Sequence, residues 1–213
     1  VAELARETLA ADGVQVLTGH TALRCEQHTG EKRLIVEHAG TELAVPFDQL
    51  LVCVGRQARL TGYGLEELGI PTNRPVTTND YLETLYPNIY AAGDVAGPYQ
   101  FTHTAAHMAW YAAVNALFGQ FKRFKVDYSV IPWTTFIDPE VARVGLSEQE
   151  AIDRGIPHEV TRFELAELDR AIADSATRGF VKVLTVPGRD RILGATIVGT
   201  QGGDLLAEFV LAM

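Results

Sequence analysis

Apolar and polar positions alternate in several distinct rhythms along this chain. Val1, Leu4, Ala5, Thr8 and Leu9 follow helical spacing from the first residue, and Gly13 is a natural stop for that helix. Short β-rich segments are expected next, at residues 14–17, 34–36 and 43–45, the last two separated by a turn at Gly40. Residues 50–54 (Leu-Leu-Val-Cys-Val) form a continuous apolar run of the kind found in strands buried on both faces. Gly62, Gly64, Gly69, Pro71 and Pro75 then mark a winding connection, with a short helix expected near residues 65–68. A second apolar run ends in Ala91-Ala92-Gly93-Asp94 and reads as a buried strand followed by a turn. An Ala-rich helix is expected from about Thr102 to Phe118.

The remaining third changes character. Residues 131–136 read as a strand, and residues 138–145 as a turn and a second strand. Ser147 and Glu150 have the spacing of a capping box, so a helix opens there, and Gly155 closes it. Residues 180–186 and 192–198 flank Pro187-Gly188-Arg189-Asp190 and predict an antiparallel hairpin. Leu205, Leu206, Phe209, Val210 and Met213 form a last helical stripe. No cap precedes Val1 and no C-cap signal follows the last stripe, so both ends read as those of a fragment.

Composition narrows the choices. The 213 residues are 47% hydrophobic and 21% charged, as expected of a globular protein of one or two domains. A net charge of −9 argues against a nucleic-acid partner, because phosphate backbones demand clustered Lys and Arg. No apolar run has the length of a membrane span, and the N-terminus lacks the layout of a signal peptide. A cytoplasmic location is therefore expected. The two cysteines make no Cys-x-x-Cys motif, and Cys53, inside its apolar run, reads as a small buried hydrophobe.

Candidate chemistry gathers around Gly93 and Asp94. Gly93 has no side chain to keep a ligand from the backbone. Asp94 is expected at the carboxyl end of a strand, where open α/β sheets bind ligands, and its carboxylate can accept hydrogen bonds from hydroxyl groups. The N-terminus of the following helix points its partial positive charge back toward the same place. A Gly-Asp pair after a strand is also an ordinary turn, so the surrounding residues must decide.

Those residues resemble the second FAD-contact motif of the pyridine nucleotide-disulfide oxidoreductases: a strand, Ala-x-Gly-Asp, a short loop and a helix. The resemblance continues through Gln100-Phe101-Thr102-His103-Thr104-Ala105-Ala106, and through residues 139–148 and 194–199. It is closest to the class I members of the mercuric reductase and dihydrolipoamide dehydrogenase type, and it spans nearly the whole chain. It implies an α/β and α+β architecture in three parts. Residues 1–55 would be the tail of an NAD(P)-binding domain, and 56–125 the C-terminal part of an FAD-binding domain, both Rossmann-like. Residues 126–213 would be an α+β dimerisation domain with an antiparallel sheet, truncated at its C-terminus, through which a homodimer forms.

The resemblance also implies site roles. Asp94 would bond the ribityl chain of FAD, with Gly93 beside it. Phe101, Thr102, His103 and Thr104 would lie beneath the flavin pyrimidine, Thr102 and His103 acting mainly through the main chain. Gly55 would lie under the nicotinamide nucleotide of NAD(P)H. Arg56 reads equally as a cofactor contact or as a surface ion pair. His107 departs from the small residue the pattern expects and reads as a core or interface histidine.

Equally informative are the parts of the pattern that these residues do not contain. No G-x-G-x-x-G follows a predicted strand, and no cysteine pair has four residues between its members. No residue is therefore assigned a catalytic role, no metal site is expected, and FAD is expected to bind this chain weakly or not at all. In the intact enzyme, electrons would pass from NAD(P)H through flavin to a cysteine disulfide and then to a disulfide or metal-ion substrate. The alternatives are a non-catalytic dimerisation module and a relative of the flavin-dependent peroxide or oxygen reductases.

Overall fold

A computed structural model describes residues 1–72 and 75–213; residues 73 and 74 of the winding connection lie outside the described residues. The chain divides into two compact units, Val1–Val54 with Trp133–Phe209, and Gly55–Pro132 with Val210–Met213.

The first unit opens with helix α1 (Ala2–Ala11), which ends at Asp12 and Gly13, the latter at φ +86°. Three antiparallel strands follow in sequential order: β1 (Thr21–His28), β2 (Glu31–His38) and β3 (Thr41–Pro46). The β2–β3 hairpin turns at Gly40 as expected and pairs Leu34 with Val45, Ile35 with Ala44 and Val36 with Leu43. Ile35 and Val36 are buried. Strand β1 was not anticipated. Its residues are nearly all exposed, so no alternation marks it, and its strand state comes from pairing with β2.

Two expectations fail in this stretch. Residues 14–17 have no regular structure, and neither does the apolar run at 50–54. In that run Leu51 is 86% exposed and Val54 90%. An apolar run becomes a buried strand only where neighbouring strands take its N–H and C=O groups, and the three-stranded sheet ends at β3. Cys53 is accordingly exposed rather than buried, and Cys25 is exposed as well; both are free thiols.

The C-terminal part of this unit is a five-stranded antiparallel sheet of order β4-β5-β8-β7-β6. Its strands are β4 (Trp133–Thr135), β5 (Glu140–Gly145), β6 (Glu159–Glu164), β7 (Phe180–Thr185) and β8 (Ile192–Gly199). The expected hairpin is β7–β8, with Phe180 opposite Val198 and Leu184 opposite Gly194. Ala142, Val144, Leu184, Ala195, Ile197, Val198 and Leu206 are essentially inaccessible and form its core. Gly194 is required there, because a Cβ would lie 2.1 Å from the Leu146 carbonyl oxygen.

Helix α3 (Glu148–Asp153) starts with the expected capping box. Ser147 Oγ accepts from the Glu150 N–H at 3.2 Å, and Glu150 Oε2 accepts from the Ser147 N–H at 2.9 Å. Edge strand β6 and the five-residue helix α4 (Asp169–Ala173) went unread. One is exposed almost throughout, and the other is too short to show a period. Helix α5 (Gly202–Ala212) carries the last apolar stripe.

The second unit is built differently. Its long element is α2 (Thr102–Phe118), with the bounds expected from its Ala-rich pattern. The buried strand expected to end at Asp94 is absent: Tyr90 makes a single antiparallel bridge to Glu83, and Gly93–Val95 is one 3-10 turn. Residues 65–68 form a hydrogen-bonded turn, with Leu68 N–H on the Gly64 carbonyl at 3.2 Å, instead of the expected helix. Two small apolar clusters hold these loops. One is Leu65, Ile70 and Val76; the other is Leu82, Ala96 and Met108.

Candidate functional site

The stretch 89–104 presents its polar atoms through loops that α2 and Glu83 hold in place. Glu83 is buried at 9% exposure. Its carboxylate accepts from Asn79 Nδ2 at 2.8 Å and Tyr90 Oη at 3.3 Å, and it pairs with Arg123. The Asn79 hydrogen bond, then Arg123 and Tyr90, hold its pKa below the ordinary glutamate value against the opposing effect of burial. Burial and the adjacent Glu83 charge push the Tyr90 phenol upward. Tyr90 is thereby fixed three residues ahead of Gly93, and the Ala91 N–H is held by the Leu82 carbonyl at 3.1 Å.

Gly93 is buried at φ +79°, and a Cβ on it would sit 3.2 Å from Ala105 Cβ. The space left by the missing side chain is thus occupied by α2. This close approach sets Asp94 beside the start of the helix. Asp94 is exposed, and its carboxylate has no hydrogen-bond or ion-pair partner among the described residues.

Phe101 is the N-cap of α2, and no side chain caps that end, so its first N–H groups are open to an acceptor. Thr102, the first helical residue, is exposed. The ring of His103 stacks on Phe101 with centroids 5.4 Å apart, and its Nε2–H donates to the Pro132 carbonyl at 2.7 Å. That bond fixes the orientation of the ring. Thr104 closes the expected segment 101–104, and its Oγ1 is fully buried without a partner among the described residues.

Arg56 Nη1 donates to the Gln100 carbonyl at 2.7 Å, which joins the segment after Gly55 to the entrance of α2. A hollow of about 300 Å³ is lined here by Arg56, Gln57, Ala58, Leu60 and Gln100. Gly55 itself, at φ +117°, faces open space. His107 is half-buried, donates to the Asp127 carbonyl at 2.8 Å, and meets the Tyr111 ring edge-on. Among the described residues no group of three or more His, Cys, Asp or Glu side chains could hold a metal ion.

A family model described as pyridine nucleotide-disulphide oxidoreductase matches residues 1–109, and the model for that family's dimerisation domain matches residues 131–213. The chain belongs to the pyridine nucleotide-disulphide oxidoreductases. Among curated members of this family, it is 34% identical to a mercuric reductase of Staphylococcus aureus, over 100% of this chain and 39% of the relative. It is 31% identical to a dihydrolipoyl dehydrogenase of Chlamydia pneumoniae, over 100% of this chain and 45% of the relative. Among solved structures, the HOCl-induced flavoprotein disulfide reductase RclA from Escherichia coli superimposes with a TM-score of 0.84 at 28% identity, covering 100% of this chain and 48% of that one. The chain therefore spans less than half the length of these relatives. Among the described residues no helix is long and apolar enough to cross a membrane.

Proposed function

We propose that this chain is the C-terminal portion of an FAD-dependent oxidoreductase that takes electrons from NAD(P)H and delivers them to a cysteine disulfide, and then to a disulfide or metal-ion substrate. The observation that carries this reading is the match across the whole chain to enzymes more than twice its length. The proposed parts are residues 1–55 from the nicotinamide-nucleotide domain, 56–125 from the FAD domain, and 126–213 as the dimerisation domain.

The residues present fit a flavin dinucleotide. Asp94 offers a carboxylate without a partner among the described residues, which suits the hydroxyls of a ribityl chain. The uncapped start of α2 offers N–H groups and the positive end of a 17-residue helix to an electron-rich ring edge. The orphaned Thr104 hydroxyl lies one helical turn or less from the same end. When bound, FAD supplies the two-electron chemistry. This chain's residues orient the cofactor and stabilise negative charge on it; Gly93 lets the Asp94 turn approach α2 closely enough to do so. None of its residues supplies the thiol pair, and we infer that the 213 residues alone are inactive and hold flavin weakly or not at all. A cytoplasmic location belongs to the same reading, supported by the free state of both cysteines.

The test is made on the intact protein. Its flavin content and its NAD(P)H-dependent reduction of lipoamide, glutathione disulfide and mercuric ion are measured beside an Asp94→Ala variant. Retained flavin is expected to fall sharply in the variant. Full, stoichiometric flavin in Asp94→Ala would remove the assigned role. Enzyme-like turnover by the 213-residue chain alone would refute the division of labour.

A second reading, a self-associating module, is favoured by the match of 131–213 to the dimerisation domain. Exposed apolar side chains such as Phe136, at 82%, and Leu211, at 86%, agree with it. Sedimentation of the isolated chain tests this: a dimer is expected, and a monomer at high concentration would count against it.

A further inference from the structure

A continuous path of aromatic rings runs along α2, from an exposed indole to the loop that enters the helix. Trp110 is 54% exposed. Its ring meets Tyr111 edge-on with centroids 4.9 Å apart, and Tyr111 meets His107 at 5.0 Å. His107 lies 6.5 Å from Tyr128, and Tyr128 lies 5.9 Å from Tyr99. Tyr99 stacks on Phe101, the N-cap of α2, at 6.3 Å.

The inner rings are held in place. Tyr111 and Tyr128 pack on the buried cluster of Leu82, Ala96 and Met108. The bond from His107 to the Asp127 carbonyl, at 2.8 Å, fixes the imidazole between the two phenols. His107 is the position that departs from the small residue expected of the family, and its ring fills a gap that a small side chain would leave. Burial and the neighbouring Tyr99 push the Tyr128 phenol upward, so it stays protonated at neutral pH.

Phenols and indoles lose one electron more readily than most side chains, and electron tunnelling falls off exponentially with the gap between donor and acceptor. Along α2 the distance from Thr102 to Trp110 is about 12 Å at the helical rise per residue, and the rings divide it into short steps.

We propose that Trp110, Tyr111, Tyr128 and Tyr99 relay one-electron oxidation from the protein surface to the entrance of α2, with His107 bridging Tyr111 and Tyr128. The oxidant is a one-electron oxidising radical of the azidyl or peroxyl type. It takes one electron from the Trp110 indole and becomes an anion, and the indole N–H proton goes to water. The indolyl radical then takes an electron from Tyr111 and a proton from water, which restores the indole. Tyr111 gives its phenolic proton to water and becomes a phenoxyl radical. The same exchange of one electron and one proton moves the phenoxyl to Tyr128 and then to Tyr99. Tyr99 is refilled by one electron and one proton from reduced flavin held at the same helix end, so that two surface radicals are quenched per two-electron reduction. This last step rests on the flavin assignment above.

The relay is tested on the 213-residue chain with azidyl radicals made by pulse radiolysis, which oxidise indoles first. No flavin takes part, so the outcome is independent of the cofactor assignment. Indolyl absorption is expected to decay as phenoxyl absorption grows, at a first-order rate that does not change with protein concentration. Trp110→Phe should abolish that transfer. Trp133→Phe should leave it unchanged, because the Arg143 guanidinium, 4.9 Å from the Trp133 ring centroid, opposes removal of an electron there. Tyr111→Phe should slow it by at least an order of magnitude. A nitroso spin trap followed by peptide mass spectrometry should locate the radical on Tyr99 or Tyr128. Transfer that survives Trp110→Phe, is lost in Trp133→Phe, keeps its rate in Tyr111→Phe or varies with protein concentration would overturn the proposal, as would a radical trapped at neither Tyr99 nor Tyr128.

Discussion

The five-stranded sheet and the segment around residues 50–54 carry similar apolar runs and meet opposite fates. Ile192–Gly199 is apolar or small along most of its length, lies between two neighbouring strands, and has residues 194–199 buried. Residues 50–54 are at least as apolar, yet among the described residues they have no strand partner, and they are exposed. The difference lies in what surrounds each run. β8 finds β5 and β7 on its two sides, whereas no strand among the described residues pairs with residues 50–54. Hydrophobicity makes a strand worth burying, but only pairing makes it a strand.

That comparison can be broken or sharpened by substitution. The largest effect is expected from Gly194→Ala, because the new Cβ meets the Leu146 backbone at 2.1 Å. A loss of about 3 kcal/mol or more is expected in urea unfolding, and a near-neutral result would show that this sheet tolerates backbone movement.

Glu83→Gln should follow, at about 1–3 kcal/mol near neutral pH, since it removes a charged acceptor that serves Asn79, Arg123 and Tyr90. The sign of its pH dependence is set by the lowered pKa. The stabilisation from the Glu83 carboxylate is complete above the unfolded value, near 4.5, and is lost as pH falls through the lower folded value. Stability profiles of the parent and Glu83→Gln should therefore converge below pH 4.5; parallel profiles would contradict the assignment.

Ser147→Ala removes one half of the capping box, and a cost of about 1 kcal/mol is expected by thermal melting. Leu51→Asp should be the mildest, within about 0.5 kcal/mol, because the side chain is 86% exposed. A large loss at Leu51 in the isolated chain would show that residues 50–54 are packed after all. In the intact protein, the same substitution is expected to be severe.

Legibility followed the range of the interactions. The bounds of α2, the β7–β8 hairpin and the Ser147–Glu150 capping box were all readable, because each is made by residues a few positions apart. β1 and β6 were not readable: each is a mostly exposed edge strand whose state depends on its neighbour. At the candidate site, the order Gly93, Asp94, Phe101, Thr102 and His103 was visible as a motif. The tie from Arg56 to the Gln100 carbonyl and the buried, unpartnered Thr104 hydroxyl were not, since neither follows from a local pattern.

Family membership, the starts of α2 and α3 and the tight turn at Gly40 were written in the residue order itself, because caps, glycines and helical periodicity act within one or two turns of chain. Tertiary structure alone decided which apolar runs became strands, that Ala105 fills the space over Gly93, and that Arg123 pairs with Glu83. Those outcomes require groups far apart in the chain to meet, and a hydrogen bond or a packed contact has no energy until its partner arrives.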